Sequence, residues 1–155
     1  MTGVKEATKE VKDVLNNPFA DFETDAKAER EGIKLDFGGY WFYVARLGGK
    51  NQGYKKALNK SLKPHRLAMD NDLLSPDEVV SLLVQPFVSD VLRGWGSKLH
   101  GEGNLVDRNG DAIPFTAENA VEVFTKLPDL FTRVSQRASD HENFLLSNRK
   151  AAEGN

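Results

Sequence analysis

Residues 33–47 read IKLDFGGYWFYVARL, and this stretch decides the fold of the chain. Apolar and charged residues alternate in its first part, two glycines follow, and the rest is rich in aromatic and β-branched residues. Side chains along a strand point to alternate faces, and a two-residue glycine turn between two such runs is typical of a β-hairpin. The stretch therefore predicts an N-terminal β-hairpin spanning about residues 33–47.

The second strand of this hairpin carries large aromatic side chains on both faces. Alternation places Phe42 and its neighbours Tyr40 and Val44 on one face, and Trp41 and Tyr43 on the other. One face must pack against helices. The other needs cover, either from the rest of the domain or from a partner protein, because large exposed apolar patches usually mark interaction sites.

Beyond the hairpin, the apolar residues recur at helical spacing. A lysine-rich helix is expected to stop at Pro64. The run Ser75-Pro76-Asp77-Glu78 has the pattern of a capping box, which predicts the start of another helix. Pro86 is expected to kink or divide that helix because proline lacks an amide donor, and Gly94 and Gly96 are expected to end it.

The expected organisation is one globular domain, residues 23–147, between two tails. Residues 1–22 are expected to form an amphipathic helix or a partly ordered tail, and residues 148–155 a frayed one. Within the domain, residues 23–31 are strongly charged and are expected to be exposed. The predicted fold class is α+β and mainly α-helical, with a helix cluster packed on the N-terminal hairpin and on a small second hairpin at about residues 105–114.

The second hairpin competes with a metal-binding interpretation of the same residues. Four oxygen-bearing residues have the spacing of a helix–loop–helix calcium loop, namely Asp107, Asn109, Asp111 and Glu118. The sixth position of such a loop needs glycine, but it is Ala112 here. Asn109-Gly110 instead favours a tight type I′ turn between two short strands, and Thr116 is placed to cap the helix that follows. We therefore expect turn and cap chemistry, and no metal site.

Composition argues against several functional classes. The 155 residues include no cysteine, which excludes disulfides and thiol catalysis, and the cytosol is the default compartment. No apolar run approaches the ~20 residues that cross a membrane. His65, His100 and His141 are far apart and belong to no paired ligand motif. We expect a protein that is not an enzyme, uses no cofactor and does not enter a membrane.

The charges fall into two blocks. Residues 46–66 carry seven basic side chains and no acid, and residues 67–92 carry five acids and no lysine or arginine. A basic block can bind phosphates, but a solvated or self-paired face is the commoner cause of such a run, so nucleic-acid binding is not favoured. The acidic block could neutralise the basic one within the fold or across a subunit interface. Self-association is therefore an open alternative.

The order of several short motifs resembles that of the tail assembly chaperones of long-tailed bacteriophages. In chain order these motifs are Val44-Ala45-Arg46 at the end of the aromatic strand, Leu62-Lys63-Pro64-His65-Arg66, Leu92-Arg93-Gly94-Trp95-Gly96, Pro114-Phe115-Thr116-Ala117-Glu118-Asn119-Ala120 and Leu127-Pro128-Asp129-Leu130-Phe131. The resemblance covers roughly residues 30–146, and none of these motifs carries chemistry.

The resemblance implies a non-enzymatic assembly factor that acts in the host cytoplasm and is absent from the mature virion. Such a protein would bind the phage tape-measure protein, keep it soluble and help to recruit tail tube subunits. Apolar stripes of tape-measure helices would need cover, and a helix-in-groove mode would supply it. The expected partner-binding residues are Trp41, Tyr43 and Trp95, with Lys55, Lys56 and Lys60 pairing with acidic segments of the partner.

Two other classes remain as alternatives. A structural minor tail protein, such as a terminator or connector subunit, would also be cysteine-free and mixed α/β, but it would be present in the virion. A small nucleic-acid-binding regulator would use the basic block at residues 46–66, and its affinity would fall steeply with salt.

Overall fold

The computed structural model describes residues 17–148, so the predictions for residues 1–16 and 149–155 lie outside the described part of the chain. Of the described residues, 56% are helical and 19% lie in strands, which confirms the predicted α+β, mainly helical class. The helices are α1 (Pro18–Phe22), α2 (Ala26–Glu31), α3 (Gln52–Leu62), α4 (Arg66–Asp70), α5 (Pro76–Asp90), α6 (Ala117–Lys126) and α7 (Pro128–Ser139), with 3-10 turns at Lys63–His65 and His141–Phe144. The strands are β1 (Ile33–Asp36), β2 (Tyr40–Val44), β3 (Leu92–Ser97), β4 (Gly101–Glu102), β5 (Asn104–Val106) and β6 (Ala112–Pro114).

The predicted N-terminal hairpin is confirmed as β1 and β2. The two strands pair antiparallel, with Leu35 opposite Phe42. The Phe37 amide donates to the Tyr40 carbonyl across the two-glycine turn, and Gly38 has a φ of +97°, a conformation that glycine adopts without strain. The hairpin extends into a four-stranded antiparallel sheet of order β1-β2-β3-β4.

The prediction that Gly94 and Gly96 end a helix around Trp95 was wrong, because these glycines lie in a strand. The helix ends at Asp90, and these glycines belong to β3, which pairs with β2. Their role is to make room, because a Cβ at Gly96 would lie 2.4 Å from Nε1 of Trp41. A Cβ at Gly94 would lie 3.3 Å from the Tyr43 ring. The glycines thus let the aromatic side chains of β2 lie across β3.

The inner face of the sheet carries the core. Phe124 of α6 lies at the centre of an aromatic cluster, with ring centroids 5.7 Å from Phe42, 5.6 Å from Phe87 and 5.9 Å from Phe131. These rings come from β2, α5, α6 and α7, so one cluster joins the sheet to three helices. We use the name packed body for the sheet together with α6, α7 and residues 84–90 of α5.

Helices α3 and α5 run antiparallel. The hydroxyl of Ser61 donates to the Leu82 carbonyl near one end, and the Asn51 side chain donates to the Asp90 carbonyl near the other. As predicted, α3 ends just before Pro64 and the capping box starts α5, where Ser75 and Glu78 exchange both hydrogen bonds. Helix α5, however, continues through Pro86 and is not divided there.

The small hairpin at about residues 105–114 is confirmed as β5 and β6, but its turn is longer than predicted. The loop spans residues 107–111, and the Asp107 carboxylate accepts the amides of Asn109 and Asp111. An aspartate that binds the backbone two residues ahead favours this wider turn over a two-residue one. Thr116 caps α6 as predicted, since its Oγ1 accepts the Asn119 amide at 3.0 Å.

The prediction that the charged segment 23–31 is exposed was wrong for part of the segment. Glu29 of α2 is fully buried, and its carboxylate pairs with the guanidinium of Arg46, which follows β2. The Arg46 amide also donates to the Glu29 carbonyl. Burial of the charge is tolerated because a partner of opposite charge reaches it from a distant part of the chain.

Candidate partner-binding surfaces

Trp95 is not on the surface, which corrects its place among the predicted partner-binding residues. Only 1% of it is exposed, and its indole N–H donates to the Ile113 carbonyl at 3.0 Å. Its ring packs against Phe42 on one side and Phe115 on another. Alternation in β3 points Trp95 inward and the flanking glycines outward, so the side chain joins the sheet to β6.

Trp41 and Tyr43 do lie on the outer face of the sheet, as the alternation of β2 predicts. Both are half-buried, because each side chain lies across a glycine of β3. The ammonium of Lys34 sits 4.4 Å from the centre of a Trp41 ring. The Tyr43 hydroxyl donates to Glu102 at 2.9 Å. This hydrogen bond is the main reason that the pKa of Tyr43 lies above the ordinary tyrosine value of 10.0, and burial is the second reason. The outer face of the sheet therefore carries two neighbouring aromatic side chains, with the positive charge of Lys34 beside Trp41 and the carboxyl group of Glu102 beside Tyr43.

Lys55, Lys56 and Lys60 form a second, separate group on α3. All three are exposed, and none makes an ion pair within residues 17–148. Lys60, Lys63 and Arg66 line a shallow depression of about 570 Å³ with Asn59. Although α3 packs against α5, the acidic block does not neutralise these lysines within the described fold. Their positive charge is therefore available to a partner.

A third feature was not predicted from the sequence: no residue in the outer half of the α3–α5 pair is fully buried. From Lys55 to Leu83, a stretch that we call the distal hairpin, every residue is at least partly exposed. Leu58, Val80 and Leu83 pack partly against the core. The stretch nevertheless carries twelve apolar residues: Ala57, Leu58, Leu62, Leu67, Ala68, Met69, Leu73, Leu74, Val79, Val80, Leu82 and Leu83. Helical spacing predicts an apolar stripe, but it does not tell whether another element covers that stripe.

The tip of the distal hairpin presents two leucines to solvent. Leu67 is 76% exposed and Leu73 is 72% exposed. The Leu73 amide donates to the Ala68 carbonyl and the Asp72 amide to the Met69 carbonyl, with Asp72 in the left-handed region at a φ of +53°. This pair of bonds is a Schellman motif, which turns the chain back over the last turn of a helix. The motif brings Leu73 to the same part of the surface as Leu67.

Within residues 17–148 no three His, Asp or Glu side chains are grouped so that they could hold a metal ion. Nε2 of His100 donates a 2.8 Å hydrogen bond to the Gly110 carbonyl, and His141 stacks on Phe22. Both histidines therefore have structural contacts. None of the helices in this part of the chain is long and apolar enough to span a membrane.

The comparison with protein families gives an origin. A family model described as YdaY prophage protein matches residues 49–155, which is more than half of the chain. No curated protein and no solved structure matches this chain. The chain is thus a phage-derived protein, and it belongs to the YdaY prophage protein family. The matched residues include the whole distal hairpin and exclude β1 and β2.

Proposed function

We propose that this prophage protein is a tail assembly chaperone, which binds the tape-measure protein, keeps it soluble and helps to recruit tail tube subunits in the host cytoplasm. The order of short motifs along residues 30–146 favours this class, and the phage origin of the family agrees with it. On this proposal the protein acts by covering surfaces of its partner and catalyses no reaction.

The distal hairpin is the observation that carries the proposal. It offers two exposed leucines, Leu67 and Leu73, and further partly exposed apolar side chains, beside lysines without ion pairs within residues 17–148. Exposed apolar surface rimmed by charge marks a protein-binding site. Amphipathic helices of a tape-measure protein need apolar contacts along one stripe, and acidic residues beside that stripe would pair with Lys55, Lys56 and Lys60. The outer sheet face, with Trp41 and Tyr43, is a second predicted contact surface.

Co-expression with the tape-measure protein of the same prophage tests the proposal. The wild-type chain should raise the soluble fraction of the tape-measure protein and co-purify with it. The double variant Leu67→Asp/Leu73→Asp should lose most of this effect, because it places carboxylates where the partner's apolar stripe would lie. The soluble fraction of tape-measure protein is the measured quantity.

Leu99 and Leu127 provide the matched control, since they are exposed leucines that lie outside the distal hairpin. Leu99→Asp/Leu127→Asp should leave tape-measure solubility unchanged, and both double variants should melt like the wild type. Equal solubility with and without the wild-type chain would contradict the proposal. Finding the chain in purified virions would favour the structural tail protein instead.

A further inference from the structure

We propose that a second copy of this chain covers the distal hairpin, so that the protein forms a dimer in which two hairpins pack antiparallel about a twofold axis. The first arm of one hairpin, α3, would lie against the tip and second arm of the other, α4 and α5. The proposal concerns the chain before it meets a tape-measure protein, which would have to displace the second copy from the same leucines and lysines. It is tested on the chain alone, so its failure would leave the chaperone proposal standing.

The charge distribution of the hairpin is self-complementary. The first arm carries exposed Lys55, Lys56, Lys60 and Lys63, while the tip and the second arm carry exposed Asp70, Asp72, Asp77 and Glu78. No ion pair within residues 17–148 involves any of these eight side chains. A twofold axis applies each contact twice, so the basic arm of each copy meets the acidic arm of the other. Both blocks are neutralised in this arrangement.

The exposed leucines lie on the tip, next to the acidic residues there. Leu67 and Leu73 flank Asp70 and Asp72 in the chain. In the antiparallel arrangement, the tip of one copy lies beside the first turns of α3 in the other, where Ala57 and Leu58 are partly exposed. Apolar contacts bordered by charged side chains are common in protein interfaces.

The same charges argue against other occupants. A nucleic acid would gain from the lysines, but its phosphates would meet the carboxylates of Asp70 and Asp72 at the tip. A second copy is the partner that is certain to carry both signs in the required order.

A charge-swap experiment tests the dimer by sedimentation velocity over a range of protein concentrations. Lys56→Glu/Lys60→Glu leaves the four charged positions of the first arm with no net charge, and Asp70→Lys/Asp77→Lys does the same for the four acidic positions of the tip and second arm. Each variant alone should dissociate more readily, with a dissociation constant raised more than about tenfold. An equimolar mixture of the two variants should regain association as a heterodimer, because opposite charges face each other again.

Controls separate this interface from general effects of charge. Lys34→Glu/Lys98→Glu changes two exposed lysines outside the distal hairpin and should leave the dimer unchanged. Leu67→Asp should weaken the dimer, while Leu99→Asp should not. A wild-type chain that stays monomeric at every concentration would overturn the proposal. So would charge-swap variants that dimerise like the wild type, or a mixture of the two that does not associate.

Discussion

The packed body and the distal hairpin use similar apolar residues with opposite results. In the packed body, Phe124 contacts rings from β2, α5 and α7, and none of it is exposed. In the distal hairpin, α3 and α5 pack against each other, Leu58, Val80 and Leu83 reach the core only partly, and no residue is buried. Helix α5 runs through both regions, so the difference comes from what surrounds the helix. Two antiparallel helices cannot bury their apolar sides by themselves.

This contrast separates residues that hold the fold from residues that are free to bind. A core residue contributes to stability through burial, whereas an exposed leucine contributes little to stability and is available to a partner. Substitutions in the packed body should therefore change the free energy of unfolding. Substitutions at the surface of the distal hairpin should change association and leave the free energy of unfolding nearly constant.

Phe124→Ala should have the largest effect on stability, a loss of about 3–5 kcal/mol, because it leaves a cavity in the middle of the aromatic cluster. Urea unfolding followed by circular dichroism measures this loss. The comparison variant Leu67→Ala should change the free energy of unfolding by less than about 0.5 kcal/mol, as surface substitutions usually do. Similar losses at the two sites would contradict the division into a packed body and an uncovered hairpin.

Arg46→Met should destabilise the fold by about 3 kcal/mol, because it leaves the buried Glu29 carboxylate without its charge partner. The partial exposure of Arg46 places the loss toward the lower end of what a broken buried pair causes. Oε2 of Glu29 and Nε of Arg46 lack hydrogen-bond partners within residues 17–148. The double variant Glu29→Met/Arg46→Met should therefore recover much of the lost stability in the same urea assay. A double variant less stable than Arg46→Met would contradict the unpaired Glu29 carboxylate as the cause of the loss.

Short-range patterns were enough to predict much of the packed body. Alternation and the glycine turn predicted β1 and β2, and the capping box predicted the start of α5, because the interacting residues are close in the chain. The same holds for Thr116, whose hydroxyl binds an amide only three residues ahead. Propensity and spacing are reliable where the partner groups are local.

Long-range partners explain what could not be predicted. Gly94 and Gly96 resemble helix breakers, and only their position opposite Tyr43 and Trp41 shows that they belong to a strand. Glu29 is buried because Arg46 reaches it from beyond β2, a contact that no local pattern announces. Of the predicted contact residues, Lys55, Lys56 and Lys60 are exposed as their helical charge pattern suggested. Trp95 was predicted to be exposed because β3, the strand that turns its side chain inward, was not recognised in the sequence.

Asn51→Ala should have an intermediate effect, because Asn51 joins the two regions. Its side chain caps α3 by accepting the Tyr54 amide, and it donates to the carbonyls of Arg46 and Asp90. Loss of these bonds should lower the free energy of unfolding by about 2 kcal/mol. Amide hydrogen exchange should become faster in α3 and stay nearly unchanged in α6, which the side chain does not touch.

Asn71 is the control for this prediction. It is an exposed asparagine at the tip of the distal hairpin, and its side chain donates one hydrogen bond, to the Leu67 carbonyl at 2.9 Å. Asn71→Ala should lower the free energy of unfolding by less than about 1 kcal/mol. If the two asparagine variants were equally stable, Asn51 would not be the junction between the distal hairpin and the packed body.

Asp72→Gly should have the smallest effect on the free energy of unfolding, and it should raise that free energy where the other variants lower it. Asp72 has a φ of +53°, and it is the only non-glycine residue within residues 17–148 in the left-handed region. Glycine adopts this conformation without strain at the end of a Schellman motif, so the variant should be more stable by about 0.5 kcal/mol. Ala68→Gly, one turn earlier in α4, should instead lose about 1 kcal/mol, because there glycine only loosens a helix. Opposite signs in urea unfolding would show that local backbone geometry holds the tip in place. A loss of stability in Asp72→Gly would mean that the aspartate makes contacts which the exposed tip does not show, and the distal hairpin would then be less open than its exposure indicates.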